Sequence, residues 1–510
     1  MLQKYSLGVQ EFHKLRQENY VYVDKTEQIY QLLQGSYFFL SRPRRFGKSL
    51  LINTLKEIFL GNKHLFEGLW IADKILWEAH PIIQFSFAKS DFKDIGLSPY
   101  FHQKLDEKAL SFGFVLVQKT LASKMEELIV RVYDKYQKGV VLLIDEYDKP
   151  ITEFLLKKDI HIAEENREIM RQFYSPLKDL DSKLRFIFIT GVSKFSKVSI
   201  FSDLNHLEDL TLLSDYSTLL GYTEQEITHY FGDRITEIAN KQGISYEECF
   251  FKMRLWYNGY SWDAENKVYN PASILKFLQH RQFLNYWFET GTPNFLVELL
   301  REKMVYDVDN VEISHKRLGN FRLEDIDNIT LLFQTGYLTI KTKEDEEFYT
   351  LGYPNSEVRN SLLQYLLSGY THQQDVKPIV RDIYRSLESR DFRKMFDCLN
   401  GLLAEIPYQI FDAQQEKYYH AVIFLTFRLL GYYALAEPST SKGRIDAVVE
   451  TQSGIFIFEF KVNGTVAQAM AQIHKNKYYQ RYTASSKEIY LFGVSCKNKE
   501  IQKYQIEKLK

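Results

Sequence analysis

Apolar residues in the first part of the chain occur in short continuous runs, and each run ends at polar or small residues. Continuous runs of this length predict buried strands, whereas apolar residues at every third or fourth position predict a helix. The strands predicted in this way span 37–40, 81–87, 140–144 and 184–189. Helical spacing at 50–60 and within 154–180 places helices between them, which predicts an α/β domain with a parallel sheet.

The middle of the chain becomes helical from position 221, where Thr223 and Glu226 have the spacing of a capping box. Aromatic residues then cluster at 256–260, 269–271 and 286–288. We expect these clusters to pack in a buried core, and stacking on nucleic-acid bases is the alternative. The pattern therefore predicts a helical, aromatic-rich segment after the α/β domain.

A helix, a hairpin and a second helix are predicted between 331 and about 355, an order that resembles a winged-helix module. The hairpin tip at 344–347 is a run of acidic residues. Negative charge at that position disfavours contact with DNA phosphates. A structural or relay role is therefore expected for this segment, and a helical stretch at 376–405 follows it.

Two further strands are predicted near the C-terminus, at 443–449 and 455–462, after an amphipathic helix at 416–430. Side chains alternate along a strand, so Glu459 and Lys461 face one way while Phe458 and Phe460 face the core. Pairing of the two strands as a hairpin is expected to bring Asp446 close to Glu459. This prediction places two carboxylates and a lysine together.

Composition limits the classes of protein to consider. A chain of 510 residues with a net charge of −1 is long enough for several domains and is not a polycation. Three widely spaced cysteines fit a reducing compartment, and neither a signal peptide nor an apolar run of about 18 residues is present. We therefore expect a soluble cytoplasmic protein without a membrane partner, divided into parts at 1–215, 216–375 and 376–510.

The segment 41–50 has the features of a phosphate-binding loop, because it joins the first predicted strand to the first helix through Gly47, Lys48 and Ser49. Glycine allows close approach to an anion, the lysine reaches the β- and γ-phosphates, and the serine hydroxyl binds Mg²⁺. The residues expected to contact ATP are Arg45, Phe46, Gly47, Lys48, Ser49, Leu50, Asp145 and Thr190.

The loop departs from the usual pattern at its first position, where Arg42 stands in place of a glycine. Pro43, Arg44 and Arg45 follow, so the loop is strongly basic. A basic loop of this kind is expected to wrap around a polyphosphate.

The partner motif lies at the end of the third strand, where ligands bind in doubly wound sheets. Asp145 is expected to hold the Mg²⁺ bound by Ser49, and Glu146 to polarise the attacking water. Asp148 is interpreted as a turn residue. Thr190, at the end of the next strand, is the first candidate for a γ-phosphate sensor, with Ser193 and Lys194 behind it and a simple strand-end turn as the alternative.

Together, these motifs resemble the AAA-ATPase-like family of bacterial proteins; the segments that carry the resemblance are 24–26, 42–49, 145–148 and 190–194. The resemblance implies a P-loop NTPase fold of the AAA/ASCE type, a helical, winged-helix-like lid and a C-terminal α/β domain of the PD-(D/E)XK nuclease type. Family members share the arginine at the position of Arg42. Segment 24–26 is interpreted either as packing near the nucleotide base or as a helix cap.

The nuclease resemblance assigns roles to the C-terminal residues. Asp446 and Glu459 would bind Mg²⁺ or Mn²⁺, and Lys461 would orient or deprotonate the attacking water. Glu416 is a further candidate ligand, and Gln472 stands where some members of the superfamily carry a supporting glutamine.

The leading hypothesis is an ATPase with a metal-dependent nuclease domain that cleaves nucleic acid under nucleotide control. The alternative is a nucleotide switch whose C-terminal domain only binds nucleic acid or protein, and a third hypothesis is a domain that holds ATP without hydrolysing it. The expected partners are ATP and nucleic acid, and a homo-oligomer is possible because related ATPases act in rings.

Overall fold

A computed structural model of the chain describes residues 3–89, 91–156, 158–194, 200–201, 204, 206–287, 294–302, 305–319, 327–404, 415–431 and 447–510. The chain divides into two units. The first contains Met1–Thr290 and Val308–Val358, and the second contains Gly291–Asp307 and Arg359–Lys510.

The described helices are α1 Phe12–Gln17, α2 Thr26–Leu32, α3 Lys48–Phe59, α4 Phe92–Ile95, α5 Leu97–Ser111, α6 Leu121–Tyr136, α7 Lys149–Thr152, α8 Ile160–Tyr174, α9 Glu224–Gln242, α10 Tyr246–Tyr257, α11 Pro271–His280, α12 Asn294–Glu302, α13 His315–Gly319, α14 Asn328–Thr335, α15 Ser356–Thr371, α16 Lys377–Glu388, α17 Phe392–Ala404, α18 Gln415–Leu430 and α19 Val466–Asn476. The described strands are β1 Tyr37–Ser41, β2 Ile82–Ser86, β3 Val140–Asp145, β4 Leu184–Gly191, β5 Glu208–Asp209, β6 Val311–Ser314, β7 Thr339–Lys343, β8 Phe348–Gly352, β9 Ala447–Glu450, β10 Gly454–Val462, β11 Glu488–Lys497 and β12 Glu500–Lys508.

The first unit is built on a parallel five-stranded sheet with the order β2-β3-β4-β1-β5. Strand β4 lies between β1, which leads into the phosphate loop, and β3, which ends at Asp145. An extra strand between these two motifs defines the ASCE arrangement, so the predicted P-loop α/β fold is confirmed. Because parallel strands share one carboxyl edge, the ends of β1, β3 and β4 lie side by side.

Helices cover both faces of this sheet, which explains why its central strands are continuous apolar runs. On one face, Phe59 of α3 packs against Phe186 of β4, with 4.9 Å between ring centroids. On the other face, Phe173 of α8 packs against Phe85 of β2 at 5.3 Å. Strands β1, β3 and β4 consequently have almost no exposed residue.

The helical segment after the sheet forms its own apolar core, in which residues of α9, α10 and α11 pack with Val21 and Val23 from the N-terminal segment. The capping box of Thr223 and Glu226 is present at the start of α9, as predicted. Tyr257, Tyr260, Tyr269, Tyr286 and Trp287 are buried. Buried packing, the favoured interpretation of the aromatic clusters, is therefore what the structure shows for these five residues, whereas Trp256 is partly buried and Phe288 lies outside the described residues.

The predicted helix-hairpin-helix order is present as α14, β7, β8 and α15, and β6 adds a third strand in the order β6-β8-β7. All pairings in this small sheet are antiparallel. The winged-helix-like segment, defined here as residues 311–319 and 327–358, belongs to the first unit.

The second unit contains a mixed four-stranded sheet with the order β12-β11-β10-β9, in which only β10 and β11 run parallel to each other. Met470 and Ile473 of α19 pack on one face together with Ile457 of β10. On the opposite face, Phe427 of α18 lies 4.7 Å from Phe458, measured between ring centroids. A mixed sheet between helices fits the predicted PD-(D/E)XK type of domain.

The three-part division at 1–215, 216–375 and 376–510 stays a prediction. Within the part of the chain that the structure describes, no helix is both long and apolar enough to cross a membrane.

Candidate functional site

The phosphate loop turns sharply at two positions before α3 begins. Gly47 has a φ of 97°, and Arg45 a φ of 69°, both in the left-handed region. The amide of Leu51 donates to the carbonyl of Gly47 at 2.9 Å, which starts the first turn of α3. Backbone amides at the start of a helix have no partner within that helix and favour an anion. The local conformation is therefore suited to phosphate binding.

Lys48 is buried and held by the loop itself. Its Nζ donates to the carbonyl oxygens of Arg42 and Pro43, each at 2.9 Å. Burial lowers the pKa of Lys48, and the nearby carboxylates of Asp145 and Glu146 act in the opposite direction. An ammonium group has three N–H donors, so two carbonyls fix its direction and leave capacity for a phosphate oxygen.

Asp145, at the end of β3, is hydrogen-bonded to the first turn of α3 and to β4. Its Oδ2 accepts a hydrogen bond from Ser49 Oγ at 2.6 Å, and its Oδ1 accepts one from Thr190 Oγ1 at 3.0 Å. Asp145 and Thr190 are both buried. Hydroxyl and carboxylate oxygens are the ligands that Mg²⁺ prefers, so the donor set of Ser49 and Asp145 fits this ion.

Glu146 follows in an unusual backbone conformation, with a φ of 55° that turns the chain immediately after the buried strand. Its side chain is half-buried. Burial raises the pKa of Glu146, and the adjacent Asp145 carboxylate adds to this, while the Lys48 ammonium opposes it. A carboxylate with a raised pKa beside the site is suited to polarise a water molecule.

The structure corrects the interpretation of Asp148 as a simple turn residue. It is buried, and its Oδ2 accepts hydrogen bonds from the Ser193 amide at 2.7 Å and the Ser193 hydroxyl at 2.6 Å. The amide of Val192 also donates to this carboxylate. Asp148 thus holds the loop that follows Thr190, and an acid three residues after Asp145 was the only signal of this in the sequence.

The candidates behind Thr190 have other partners. Ser193 is bound to Asp148, and Lys194 Nζ forms an ion pair with Asp209 Oδ2 at 2.6 Å. Only Thr190 reaches the Asp145 carboxylate directly among these three residues. The geometry supports Thr190 as the first candidate, and its role as a sensor stays a prediction.

Arg42 does not extend into the position where a phosphate would bind, so the expectation that the whole basic loop wraps a polyphosphate is wrong for this residue. Its guanidinium is fully buried and donates to the carbonyls of Ser41, Thr211 and Tyr216 at 2.9–3.0 Å. Its Cζ lies 4.0 Å from the ring centroid of Trp262. Burial lowers the pKa of Arg42 to about 9.

The segment 24–26 is hydrogen-bonded to the start of α2 and ion-paired to α9. Asp24 Oδ1 accepts a hydrogen bond from the Thr26 amide at 2.8 Å, at the first residue of α2. Lys25 is buried, and its Nζ lies 2.6 Å from Glu226 Oε1. The N-cap position of α2 is Lys25, whose side chain makes no cap hydrogen bond, so neither Asp24 nor Thr26 is the N-cap. Packing of this segment near the nucleotide base stays a prediction.

The second candidate site lies on β10 and α19 in the second unit. Lys461 Nζ donates to Glu459 Oε1 at 2.8 Å and to Gln472 Oε1 at 2.6 Å. Glu459 is only 1% exposed, and Phe458 and Phe460 are buried on the opposite face of the strand. The alternation predicted for this strand is therefore present, and Gln472 lies beside the lysine.

Tyr478 extends this group, and sequence reasoning did not single it out. Its hydroxyl accepts hydrogen bonds from Asn476 Nδ2 at 2.7 Å and from Gln472 Nε2 at 3.4 Å. Tyr478 thus helps to orient the amide that contacts Lys461. A buried tyrosine two residues after a helix end carries no signal of this role until the helix is placed on the sheet.

Asp446 lies outside the described residues, and so does the side chain of Glu416. The last described pair between β9 and β10 joins Ala447 to Phe458. In the described ranges, no group of three histidine, cysteine, aspartate or glutamate side chains could hold a metal ion. Glu459 offers carboxylate oxygens that suit Mg²⁺ or Mn²⁺, and Asp446 as a second ligand stays a prediction from the sequence.

The fold and the first site define a class of protein, a P-loop α/β ATPase-type domain that continues in the same chain into a nuclease-type domain. Comparison with family models agrees. Residues 6–201 match the family described as "Predicted AAA-ATPase". Residues 414–505 match the PD-(D/E)XK nuclease superfamily.

The chain therefore belongs to the AAA-ATPase-like family, with a PD-(D/E)XK nuclease superfamily domain at its C-terminal end, and the predicted resemblance is confirmed. A similar protein from Azotobacter chroococcum mcd 1 is 38% identical over 507 residues and covers 96% of both chains. It is described as "Uncharacterized protein in vnfD 5'region". The similarity therefore extends along both units of the chain.

Proposed function

We propose that this protein binds and hydrolyses ATP in its first unit and cleaves nucleic acid in its second, with cleavage controlled by the nucleotide. The observation that carries the proposal is the hydrogen-bonded group of Ser49, Asp145 and Thr190 at the shared edge of three strands. The Lys461–Glu459 pair supports the second activity.

In the first site, each residue has a role that its position supports. The amides around Gly47 bind phosphate oxygens, and Lys48 contacts the β- and γ-phosphates. Ser49 and Asp145 would hold Mg²⁺, which supplies positive charge that stabilises the charge on the phosphate oxygens. Glu146 orients and polarises the attacking water, and Thr190 responds to the γ-phosphate through its hydroxyl.

In the second site, Glu459 and Asp446 would hold Mg²⁺ or Mn²⁺, an ion that supplies positive charge next to the scissile phosphate. Lys461 orients or deprotonates the water that attacks phosphorus. Gln472 holds the Lys461 ammonium in place at 2.6 Å. These residues would together hydrolyse a phosphodiester bond.

The expected ligands are ATP, Mg²⁺ or Mn²⁺, and nucleic acid, and the expected location is the cytoplasm. A homo-oligomer is part of the proposal because related ATPases complete their sites with an arginine from a neighbour. The alternative function is a nucleotide switch whose second unit only binds nucleic acid or protein.

The test is cleavage of plasmid and single-stranded DNA by the purified chain with Mg²⁺ or Mn²⁺, with and without ATP. Lys461→Ala and Asp446→Ala are expected to lower the cleavage rate at least about 100-fold, since each removes a group that acts on the reacting phosphate. Lys503→Ala, an exposed lysine on β12, is the matched control and should cleave normally.

ATP turnover without cleavage of either DNA would favour the nucleotide switch, and RNA and protein would then be tested as partners. Cleavage that persists in Lys461→Ala would contradict the proposed nuclease site.

A further inference from the structure

The phosphate loop is held by residues that come from far along the chain. Arg42 stacks on Trp262, and Phe46 packs edge-on against the same ring at 5.4 Å and against Tyr260 at 4.8 Å. All four side chains are buried. Segment 260–262, called the aromatic seat below, therefore packs against Arg42 and Phe46, the first and fifth residues of the loop.

Pro43 and Arg44, two of the three residues between Arg42 and Phe46, make further contacts within the first unit. A Cβ atom placed on Gly336 would lie 2.6 Å from Pro43 Cβ, so only glycine fits beside the proline there. The indole Nε1 of Trp287 donates to the carbonyl of Arg44 at 3.4 Å. Gly336 ends α14 of the winged-helix-like segment, so the loop packs directly against that segment.

The seat is also hydrogen-bonded to the winged-helix-like segment. The amide of Ser261 donates to Thr339 Oγ1 at 2.7 Å, and the amide of Ile340 donates to the carbonyl of Ser261 at 3.3 Å. Residues 260–262 thus lie alongside β7. A displacement of the loop at Arg42 would be transmitted to β7 through the Arg42–Trp262 contact and the two hydrogen bonds of Ser261.

Arg42 and Pro43 have a second function in the loop, because their carbonyl oxygens hold Lys48 Nζ. Lys48 is the residue expected to contact the β- and γ-phosphates. The path from the phosphates to the winged-helix-like segment is therefore short. It runs from Lys48 to the carbonyls of Arg42 and Pro43, and from their side chains to Trp262 and Gly336.

The residue type at position 42 supports this path. Burial of a charged group is costly unless hydrogen-bond partners offset the loss of water, and an arginine that merely replaced glycine would be expected to extend into solvent. Instead, three carbonyl oxygens and one aromatic face surround the guanidinium. The pKa of about 9 leaves it charged at neutral pH.

We infer that Arg42 is a positioning residue that joins the phosphate loop to the winged-helix-like segment, so that bound nucleoside triphosphate alters how that segment is held. The inference rests on the proposed binding of ATP. A ligand shifts a conformational equilibrium only by its difference in affinity for the two states. The affinity for ATP must therefore differ between the state in which Arg42 contacts Trp262 and the state in which this contact is lost.

The test measures two quantities on the purified chain, the affinity for ATP with Mg²⁺ by calorimetry and the amide hydrogen exchange of residues 258–263 and 336–343. In the unaltered chain, saturating ATP is expected to change the exchange of both segments. In Arg42→Gly, which restores the usual loop glycine, ATP still binds but the change in exchange falls about tenfold. Trp262→Leu should have the same effect while it leaves the carbonyl contacts of Arg42 in place.

Trp256→Leu is the matched control, because Trp256 lies on α10 and packs against Phe283 within the helical core. It should retain the response to ATP. Circular dichroism checks that each variant is folded. If Arg42→Gly does not fold, the change in hydrogen exchange of Trp262→Leu on addition of ATP tests the inference.

A normal response in Arg42→Gly or in folded Trp262→Leu would overturn the inference, and so would ATP binding to the unaltered chain without any change in exchange. Absence of ATP binding in the unaltered chain is a different result, because calorimetry then shows no heat for any variant. It would overturn the proposed function together with this inference.

Discussion

Two carboxyl groups in the first unit, Asp148 and Glu357, are buried among hydrogen-bond donors. Asp148 accepts hydrogen bonds from the amides of Val192 and Ser193 and from the Ser193 hydroxyl. Glu357 accepts hydrogen bonds from the Trp287 amide and the Ser273 hydroxyl, but burial raises its pKa to about 7. Glu357 therefore remains partly protonated near neutral pH.

We predict that Glu357 makes the first unit less stable as pH rises. Because the pKa of Glu357 is raised from 4.5 to about 7 on folding, its favourable contribution is fully present below about pH 4.5 and is lost as pH rises through about 7. The loss amounts to about 3 kcal/mol in the free energy of unfolding. Chemical denaturation between pH 5 and 8 measures it.

Glu357→Gln cannot ionise, so its free energy of unfolding should lack this slope. Glu344→Gln, in the exposed hairpin tip, serves as the control and should keep the profile of the unaltered chain. Parallel profiles for Glu357→Gln and the unaltered chain would contradict the prediction.

At the scale of elements, the start of α9 is where the N-terminal segment is attached to the helical core. Glu226 Oε2 accepts a hydrogen bond from the Thr223 amide and completes the capping box. The same carboxylate forms the ion pair with Lys25, just before α2. One side chain thus caps one helix and fixes the residue that precedes another.

We predict strong coupling between Lys25 and Glu226. The ion pair is mostly buried, so Lys25→Met or Glu226→Gln alone should cost about 3 kcal/mol, because each leaves a buried charge without its partner. The double variant should cost less than the sum, with a coupling energy of about 1–2 kcal/mol. Glutamine at position 226 can still accept the hydrogen bond of the capping box, so Glu226→Gln removes only the ion pair.

The matched comparison is the pair of Lys241 and Glu237 on the same helix, which is exposed and has an N–O distance of 2.7 Å. Its coupling energy in urea denaturation should be much smaller than that of the Lys25–Glu226 pair, because solvent screens the exposed charges. Equal coupling for the two pairs would show that burial of Lys25 has no energetic consequence.

At the scale of the whole molecule, the proposed function links a nucleotide site in the first unit to a nuclease site in the second. Glu146→Gln is expected to lower ATP turnover at least about 100-fold while ATP still binds, because the amide cannot polarise the attacking water. If the nucleotide controls cleavage, this variant should cleave at the rate of the ATP-bound state for as long as ATP stays bound.

The measurement compares cleavage time courses of Glu146→Gln and the unaltered chain after a single addition of ATP. Glu164→Gln, an exposed residue of α8, is the control and should behave as the unaltered chain does. Identical time courses for Glu146→Gln and the unaltered chain, despite the loss of turnover, would separate the two activities.

The fold of the first unit was predictable because its strands are short apolar runs and its motifs stand at strand ends. Tyr37–Ser41, Val140–Asp145 and Leu184–Gly191 agree with the predicted strands to within a residue or two. Local spacing also predicted that Glu459 and Lys461 share a face. These inferences depend only on neighbours along the chain.

The roles of Arg42 and Asp148 could not be predicted in the same way. Arg42 contacts Thr211, Tyr216 and Trp262, which are remote in the sequence, and Asp148 contacts the loop after β4. A charged residue in a loop resembles an exposed one until the chain folds and encloses it. Local pattern can indicate a strand, a cap or a motif, but it cannot show which distant carbonyl will be near.

The sequence by itself determined the class of fold, the phosphate loop with its acidic partner motif, and the position of Glu459 and Lys461 on one strand, because each follows from spacing along a strand or helix. The tertiary structure alone decided that Ser49 and Thr190 share Asp145, that Gln472 reaches Lys461, and that the phosphate loop rests on the winged-helix-like segment. Those contacts join residues far apart in sequence, and only packing brings them together.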